Sequence, residues 1–279
     1  MFRFLSFLAI LLIQNTLITE CFATPQEIKD PNLQILSHFV QQPINKIDFV
    51  KTELLIEHII DPRIDQSHTQ EELDNWVQRI RERIPANASH MIKLLVLNST
   101  LYQSGPWNSY HPFSFDFSDP LGDKLENKLL THYLETRKGN CVSMPMLYVI
   151  LGQKLELDIT FATAPLHVFA KFRNDDRRWI NMETTSGGSK SNESYIKELD
   201  IRPRALETGL YLRPLTKKES LSILINILEE YYRAYRSPES QLALTEIGYN
   251  INHLDVVSIL MRGGAYYRLL KLEPISKSF

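Results

Sequence analysis

The spacing of apolar residues predicts helices in the first part of the chain. Between Phe49 and Ile60, apolar residues return every three or four positions, which predicts a helix that stops at Asp61-Pro62. Thr69-Gln70-Glu71-Glu72 has the pattern of a capping box and predicts the start of a second helix, which ends before Pro85. This part of the chain is therefore expected to be helical.

The same periodicity predicts helices further along the chain. Thr216-Lys217-Lys218-Glu219 is a second capping-box pattern ahead of an apolar helical face. No helix is predicted within residues 24–45, where three prolines interrupt the pattern. The other predicted helices lie at about 88–102, 124–135, 239–249 and 254–272, and between Cys141 and Leu155.

In the middle of the chain the apolar residues no longer follow a helical spacing. Three short segments rich in strand formers predict strands at Ile159–Thr163, His167–Phe172 and Trp179–Met182. Asn174-Asp175-Asp176 predicts a hairpin turn between the last two strands. One small antiparallel sheet between helical regions predicts an α+β fold.

The N-terminal segment has the pattern of a secretory signal. Phe4 to Ile13 forms an apolar core, and Cys21-Phe22-Ala23 is a small-x-small site, so residues 1–23 are predicted to be removed after Ala23. The apolar core is short for a membrane span. We therefore expect an exported protein, periplasmic in a bacterium or secreted, without a stable span after cleavage. An uncleaved anchor is the alternative.

Charge and composition exclude several classes of partner and ligand. The net charge is −2, and the basic residues are interspersed with acidic ones rather than gathered in a stripe. Binding to nucleic acid or to an anionic membrane is therefore not expected. The eight histidines are scattered without paired spacing, and a single mature cysteine cannot build a zinc site. No metal and no cofactor is therefore expected.

Cys141 is the first candidate for chemistry. The chain has two cysteines, and Cys21 leaves with the predicted signal, so Cys141 has no partner for a disulfide within the mature chain. A lone thiol is a liability in an oxidising compartment, which makes Cys141 a candidate reactive thiol. Asn140 is a suitable N-cap for a helix that begins at Cys141, and a helix N-terminus favours a thiolate.

A histidine and an acid follow on the predicted strands. His167 opens its strand, so the ring is expected at a strand end, where it can serve Cys141 as a base. Asn181 and Glu183 share one face of the next strand, and either side chain could orient the imidazole. Glu183 is preferred because a carboxylate also stabilises the imidazolium. Taken singly, the cysteine and the histidine could instead be structural residues of the core.

Several segments together resemble the transglutaminase-like superfamily. They are Arg137–Pro145 with Leu151, Gly152 and Leu155 after it, Ala164–Phe169, Trp179–Gly188, and the upstream Leu97–Asn108. The likeness is to a bacterial branch with a helical N-terminal part and tetratricopeptide-like helices behind the core. It covers roughly residues 47–188 and extends more loosely to the helical tail.

The resemblance implies a papain-like core, in which a helix bearing a cysteine packs on a small antiparallel sheet. It also implies acyl transfer by a Cys-His-Asp triad, in the form of crosslinking, amide hydrolysis or peptide-bond cleavage. Cys141 matches the nucleophile and His167 the base, whereas Glu183 stands where the family usually has Asp. The backbone N–H of Cys141 is a candidate oxyanion donor, and Asn140 and Asn108 are candidates for a second donor.

The predicted organisation combines these segments. A signal peptide at 1–23 precedes a helical region at 24–103, a transglutaminase-like core at 104–210 and a tetratricopeptide-like region at 211–279. We predict an exported thiol hydrolase or protease acting on a peptide or protein, with hydrolysis favoured over crosslinking. The alternative is an inactive protein that binds a protein partner through 211–279. A redox-sensing thiol ranks last, because no resolving cysteine remains in the predicted mature chain.

An aromatic cluster in the core region has two interpretations. Phe113, Phe115 and Phe117 alternate along the chain, shortly after Trp107 and Tyr110. These side chains either pack a long loop or line a substrate cleft.

Overall fold

A computed structural model describes residues 28–272 of the chain. The predicted signal at 1–23, with Cys21, and the last part of the predicted tail at 273–279 lie outside the described residues. Among the described residues, no helix combines the length and the apolar composition needed to cross a membrane. The fold is a mixture of helices and one small antiparallel sheet, with helices at both ends, as predicted.

Four helices form the N-terminal part: α1 (Pro31–Val40), α2 (Phe49–Ile60), α3 (Gln66–Arg83) and α4 (His90–Tyr102). The side chain of the residue before each helix accepts a hydrogen bond from the first turn. Helix α1 lies in the stretch for which no helix was predicted. Pro31 occupies its first position, where the missing N–H has no helical partner to lose.

The predicted capping box at Thr69 is wrong. Helix α3 begins earlier, because Asp65 caps it by accepting hydrogen bonds from the N–H groups of Ser67 and His68, both at 3.0 Å. Thr69 lies inside the first turn, where its hydroxyl donates to the carbonyl of Asp65 at 3.1 Å. A carboxylate at the helix N-terminus is also favoured by the helix dipole.

The central part holds two short strands and two helices. β1 (Ser114–Phe115) pairs in parallel with β2 (Lys138–Gly139), α5 covers Leu130–Thr136, and α6 covers Ser143–Lys154. The helix predicted at about 124–135 is instead a 3-10 turn at Leu125–Lys128 followed by α5. The short strands carry too few residues to show a period in the sequence.

The main sheet has four antiparallel strands in chain order. They are β3 (Ile159–Ala164), β4 (His167–Arg173), β5 (Trp179–Glu183) and β6 (Gly188–Ser189). The first three strands and the hairpin turn between β4 and β5 confirm the sequence prediction. Helix α6 packs against β3 and β4, which places the helix that follows Cys141 on the sheet that carries His167.

Five helices complete the described chain: α7 (Asn192–Glu198), α8 (Pro203–Glu207), α9 (Leu221–Tyr235), α10 (Pro238–Ile251) and α11 (Val256–Leu272). The reciprocal bonds of the predicted capping box are present, from the N–H of Thr216 to Glu219 at 2.8 Å and back at 3.2 Å. Helices α9, α10 and α11 pack against one another. Their likeness to tetratricopeptide helices stays a prediction.

One hydrophobic core connects the three predicted regions. Its buried residues include Leu33 of α1, Phe161 of β3 and Ile251 of α10. Helix α9 of the C-terminal region packs directly on α2 of the N-terminal region. The regions are therefore joined by burial of a common apolar surface.

Two buried glutamates of α2 make the stability of this core depend on pH. Glu53 and Glu57 are both fully buried. Glu57 accepts a hydrogen bond from the N–H of Thr131 at 3.2 Å, whereas Glu53 has no hydrogen-bond partner among the described residues. Burial, and then the charge of Glu57, raise the pKa of Glu53 well above its usual value. Burial also raises the pKa of Glu57 from 4.5 to about 7, against the hydrogen bonds from Thr131.

We expect the folded protein to lose stability as the pH rises. A carboxyl with a raised pKa in the folded state retains a proton that the unfolded chain has lost, so the free energy of unfolding falls between pH 4.5 and about 7. Glu53→Gln removes the acid whose ionisation is opposed by burial and by the charge of Glu57. The variant should be more stable than the wild type at pH 8 by about 1–3 kcal/mol, and close to it at pH 5.

Urea unfolding at both pH values measures this difference. Glu71→Gln, at an exposed glutamate of α3, is the matched control and should behave like the wild type. An equal loss of stability from pH 5 to pH 8 in the Glu53→Gln variant and the wild type would contradict the prediction.

Candidate active site

Cys141 lies in a turn that is capped by its neighbour. The side-chain oxygen of Asn140 accepts hydrogen bonds from the N–H of Val142 at 2.9 Å and of Ser143 at 3.3 Å. The carbonyl of Asn140 accepts from the N–H of Met144 at 3.1 Å. This bonding resembles that of an N-cap, but the helix predicted to begin at Cys141 begins at Ser143, so Cys141 lies in the turn that leads directly into α6.

The turn leaves no space for a side chain at Gly139. A Cβ atom there would lie 2.5 Å from the hydroxyl of Ser143 and 2.6 Å from the ring of Tyr133. The hydroxyl of Ser143 in turn accepts from the N–H of Asn140 at 3.1 Å and donates to the carbonyl of Asn127 at 2.7 Å. These contacts hold the partly exposed Cys141 in a defined position.

His167 is the first residue of β4 and pairs with Ala164 across the hairpin. Its Nε2 lies 2.7 Å from Oε2 of Glu183. Cys141 is close enough to the imidazole to act on its pKa by hydrogen bonding and by charge. The structure therefore brings Cys141, His167 and Glu183 together.

Glu183 is held by two residues that the sequence reasoning missed. Oε2 accepts a hydrogen bond from the hydroxyl of Tyr195 at 2.7 Å, and Oε1 accepts one from the hydroxyl of Thr185 at 2.7 Å. Thr185 lies in the turn after β5, only two residues after Glu183, so its closeness in the chain is the one signal that could have suggested it. Tyr195 comes from α7 and carries no local signal, because its contact depends on how that helix packs.

The pKa values of His167 and Glu183 are both shifted at this site. Burial disfavours the imidazolium, but hydrogen bonds to Cys141 and Glu183, and the charges of both, outweigh it and raise the pKa of His167 from 6.5 to about 9. Burial also opposes ionisation of Glu183, yet the hydrogen bond and charge of His167, with help from Tyr195 and Thr185, lower its pKa from 4.5 to about 2. Because the two side chains are only 19% and 9% exposed, solvent screens this pair weakly.

Asn181, the alternative orienting residue, is engaged away from His167. Its oxygen accepts from Nζ of Lys171 at 2.6 Å. Its amide donates to the carbonyl of Lys190 at 2.8 Å and to the side chain of Asn192 at 2.9 Å. Asn181 thus joins the middle of β5 to β4 and to the start of α7.

The three candidate oxyanion donors differ in whether their N–H groups already donate hydrogen bonds within the protein. The amide of Asn108 is fully buried and donates to the carbonyls of Thr100 and Gln103, so it braces a loop. The side-chain nitrogen of Asn140 is buried and unpaired among the described residues. The N–H of Cys141 donates no hydrogen bond within the described part of the chain, which leaves it available for an oxyanion.

Comparison with known proteins identifies the family. A family model described as the transglutaminase-like superfamily matches residues 67–226, which is more than half of the chain and includes Cys141, His167 and Glu183. The chain belongs to the transglutaminase-like superfamily, whose fold generally serves cysteine-dependent acyl transfer. No curated protein and no solved structure matches the chain. Within residues 28–272, no group of three or more histidine, cysteine or acidic side chains is placed to hold a metal ion.

Proposed function

We propose that the protein is a thiol enzyme that transfers an acyl group from a peptide or amide, usually to water, through Cys141, His167 and Glu183. The observation that carries this proposal is the position of His167, whose Nε2 lies 2.7 Å from Glu183 and whose pKa is also raised by the nearby Cys141. A histidine held between a thiol and a fixed carboxylate is the arrangement that a cysteine nucleophile requires.

The first half of the proposed reaction forms a thioester. The Cys141 thiolate attacks the carbonyl carbon, and the negative charge that develops on oxygen is stabilised by the N–H of Cys141. The His167 imidazolium gives its proton to the nitrogen of the leaving amine as the C–N bond breaks. Glu183 keeps the ring in place and stabilises its positive charge before the proton leaves.

The second half releases the acyl group. His167, now neutral, takes a proton from water while the water oxygen attacks the thioester carbonyl. The C–S bond breaks, the thiolate returns, and the product is a carboxylic acid. Both Cys141 and His167 are partly exposed, which gives water access and favours hydrolysis over crosslinking.

The proposal extends to the location of the protein. The pattern of residues 1–23 supports export to a bacterial periplasm or to the medium, where the substrates would be peptides or proteins. We keep this part separate from the chemistry, because it depends on residues outside the described range.

One observation favours the second function, a protein-interaction module. Helix α11 has Leu260, Tyr267 and Leu270 exposed on its surface. Exposed apolar side chains at helical spacing suit a partner helix or peptide. In that case the residues around Cys141 would need no reactivity.

The pH dependence of alkylation distinguishes the two functions. We expect iodoacetamide to label Cys141 rapidly at pH 6 in the wild type, because an imidazolium beside the sulfur favours the thiolate. His167→Ala should slow labelling at pH 6 by at least about tenfold. Mass spectrometry of the labelled peptide separates Cys141 from Cys21.

His58→Ala, at an exposed histidine of α2, is the matched control and should label like the wild type. Slow labelling that is the same with and without His167 would reject the thiol enzyme and favour the interaction module.

A further inference from the structure

Three large apolar side chains beside the candidate site are almost fully exposed. They are Phe117 at 83%, Leu121 at 84% and Leu166 at 101% of full exposure. Single exposed apolar residues are ordinary on protein surfaces, so exposure alone shows nothing. The backbone conformation of Leu166, and the loop that carries Phe117 and Leu121, point to a functional role.

Nothing in the described structure requires a leucine at position 166. Leu166 lies at the tip of the β3–β4 hairpin, directly before His167, with a φ of +55°. This left-handed conformation favours glycine and is unfavourable for a leucine. The side chain packs on nothing in the described chain, so neither the turn nor the core accounts for it.

Phe117 and Leu121 lie on a loop that is fixed to the turn of Cys141. The N–H of Asp116 donates to the carbonyl of Gly139 at 2.8 Å. The side chain of Asn127 donates to Asp116 at 3.1 Å and to Asp119 at 2.7 Å, while its carbonyl accepts from Ser143. The exposed side chains are thus presented by a braced loop.

The loop also touches the residue before the nucleophile. A Cβ atom at Gly122 would lie 3.1 Å from the side-chain nitrogen of Asn140, so the Leu121-Gly122 segment lies against Asn140. Leu121 therefore lies next to a residue that contacts the neighbour of Cys141, and Leu166 directly precedes His167. A peptide bound at Cys141 and His167 is expected to meet both segments.

We propose that Phe117, Leu121 and Leu166 form an apolar rim that binds large apolar side chains of a peptide substrate next to the attacked carbonyl. This inference rests on the proposed function and names its substrate class: peptide segments with residues such as leucine or phenylalanine at that position. A polar or glycine-rich segment does not bury the apolar side chains of the rim, which stay exposed to water. Such segments are therefore poor substrates. Of the two interpretations of the aromatic cluster, Phe113 is buried and packs the loop, whereas Phe117 belongs to the rim.

Two blocked dipeptidyl chloromethyl ketones test the rim. One carries two leucines and the other two serines, and in both the Cys141 thiolate displaces chloride to form a thioether. Iodoacetamide is the reference, because it is too small to reach the rim. We expect the leucine reagent to inactivate the wild type at least about tenfold faster than the serine reagent.

The quantity compared is the inactivation rate with the leucine reagent divided by the rate with the serine reagent. This ratio should fall towards one when Phe117→Ser, Leu121→Ser and Leu166→Gly are combined. Each lost side chain is exposed and Leu166→Gly relieves an unfavourable φ, so folding is retained and iodoacetamide labelling should not change. The matched control combines Leu260→Ser, Tyr267→Ser and Leu270→Ser on α11, where the side chains are also exposed. It should keep the wild-type ratio.

A ratio near one in the wild type, or a wild-type ratio in the triple rim variant, overturns the rim. This failure is distinct from failure of the proposed function. Rapid labelling by iodoacetamide that depends on His167, without a preference for leucine, rejects the rim alone. Slow labelling that does not depend on His167 rejects the enzyme and the rim with it.

Discussion

Replacing Cys141 by alanine is expected to lower the hydrolysis of an apolar peptide amide by at least about a thousandfold, because the sulfur that attacks the carbonyl is gone. Cys141 is partly exposed and takes part in no disulfide within residues 28–272, so the free energy of unfolding should change by less than about 1 kcal/mol. Initial rates and urea unfolding in the same buffer measure the two quantities.

The same variant has a second readout at His167. The hydrogen bond and the charge of Cys141 help to raise the pKa of His167 to about 9, so Cys141→Ala should lower that pKa while the bond to Glu183 remains. Titration of the ring by NMR follows this change. Cys141→Ser is the matched variant, since it keeps the size of the side chain but replaces the sulfur by a poor nucleophile. Hydrolysis retained at the wild-type rate in Cys141→Ala would exclude Cys141 as the nucleophile.

Glu183→Gln is expected to reduce kcat/KM by about a hundredfold or more and to change its pH dependence. The reaction needs the His167 imidazolium, so kcat/KM of the wild type should fall above pH 9, where that group loses its proton. Without the charge of Glu183, burial lowers the pKa of His167, and the alkaline fall should begin at lower pH. A pH profile of kcat/KM tests this shift, which a purely structural role of Glu183 would not produce.

Tyr195→Phe is the matched control for Glu183. It removes one hydrogen bond to Oε2 and leaves the bond between His167 and Glu183, so activity should fall only several-fold and the alkaline limb should move little. An unchanged alkaline limb in Glu183→Gln would show that the carboxylate does not control the imidazole.

The ion pair also contributes to stability in a defined pH range. The pKa of Glu183 is lowered from 4.5 to about 2, so its contribution is present above pH 4.5 and is lost as the pH falls towards 2. The pKa of His167 is raised from 6.5 to about 9, so its contribution is present below pH 6.5 and is lost as the pH rises towards 9. The difference in unfolding free energy between the wild type and Glu183→Gln should therefore be largest near pH 5–6.

Local signals in the sequence predicted most of the fold. The helix at Phe49–Ile60 and the strands near Ile159, His167 and Trp179 were predicted because apolar spacing reflects burial on one face. The errors occurred where two local signals competed. Asp65 caps α3 in place of Thr69, and Pro31 starts a helix in a segment that its prolines had suggested was irregular.

The candidate site was predictable in part. Cys141, His167 and Glu183 were named from residue type, order along the chain and strand alternation, and the structure places them together. Asn181 satisfied the same alternation, yet the structure engages it with Lys171. Strand alternation restricts a side chain to one face of the sheet and does not choose its partner on that face.

The sequence by itself determined the order of helices and strands, the lone cysteine of the described chain and the family resemblance, because each depends on residues close together in the chain. Only the tertiary structure decided that Tyr195 and Thr185 hold Glu183, that Asn108 braces a loop, and that Glu53 is buried without a partner among the described residues. These contacts join residues whose distance is set by how helices pack on the sheet. Packing depends on the shape of the whole core, which local periodicity does not contain.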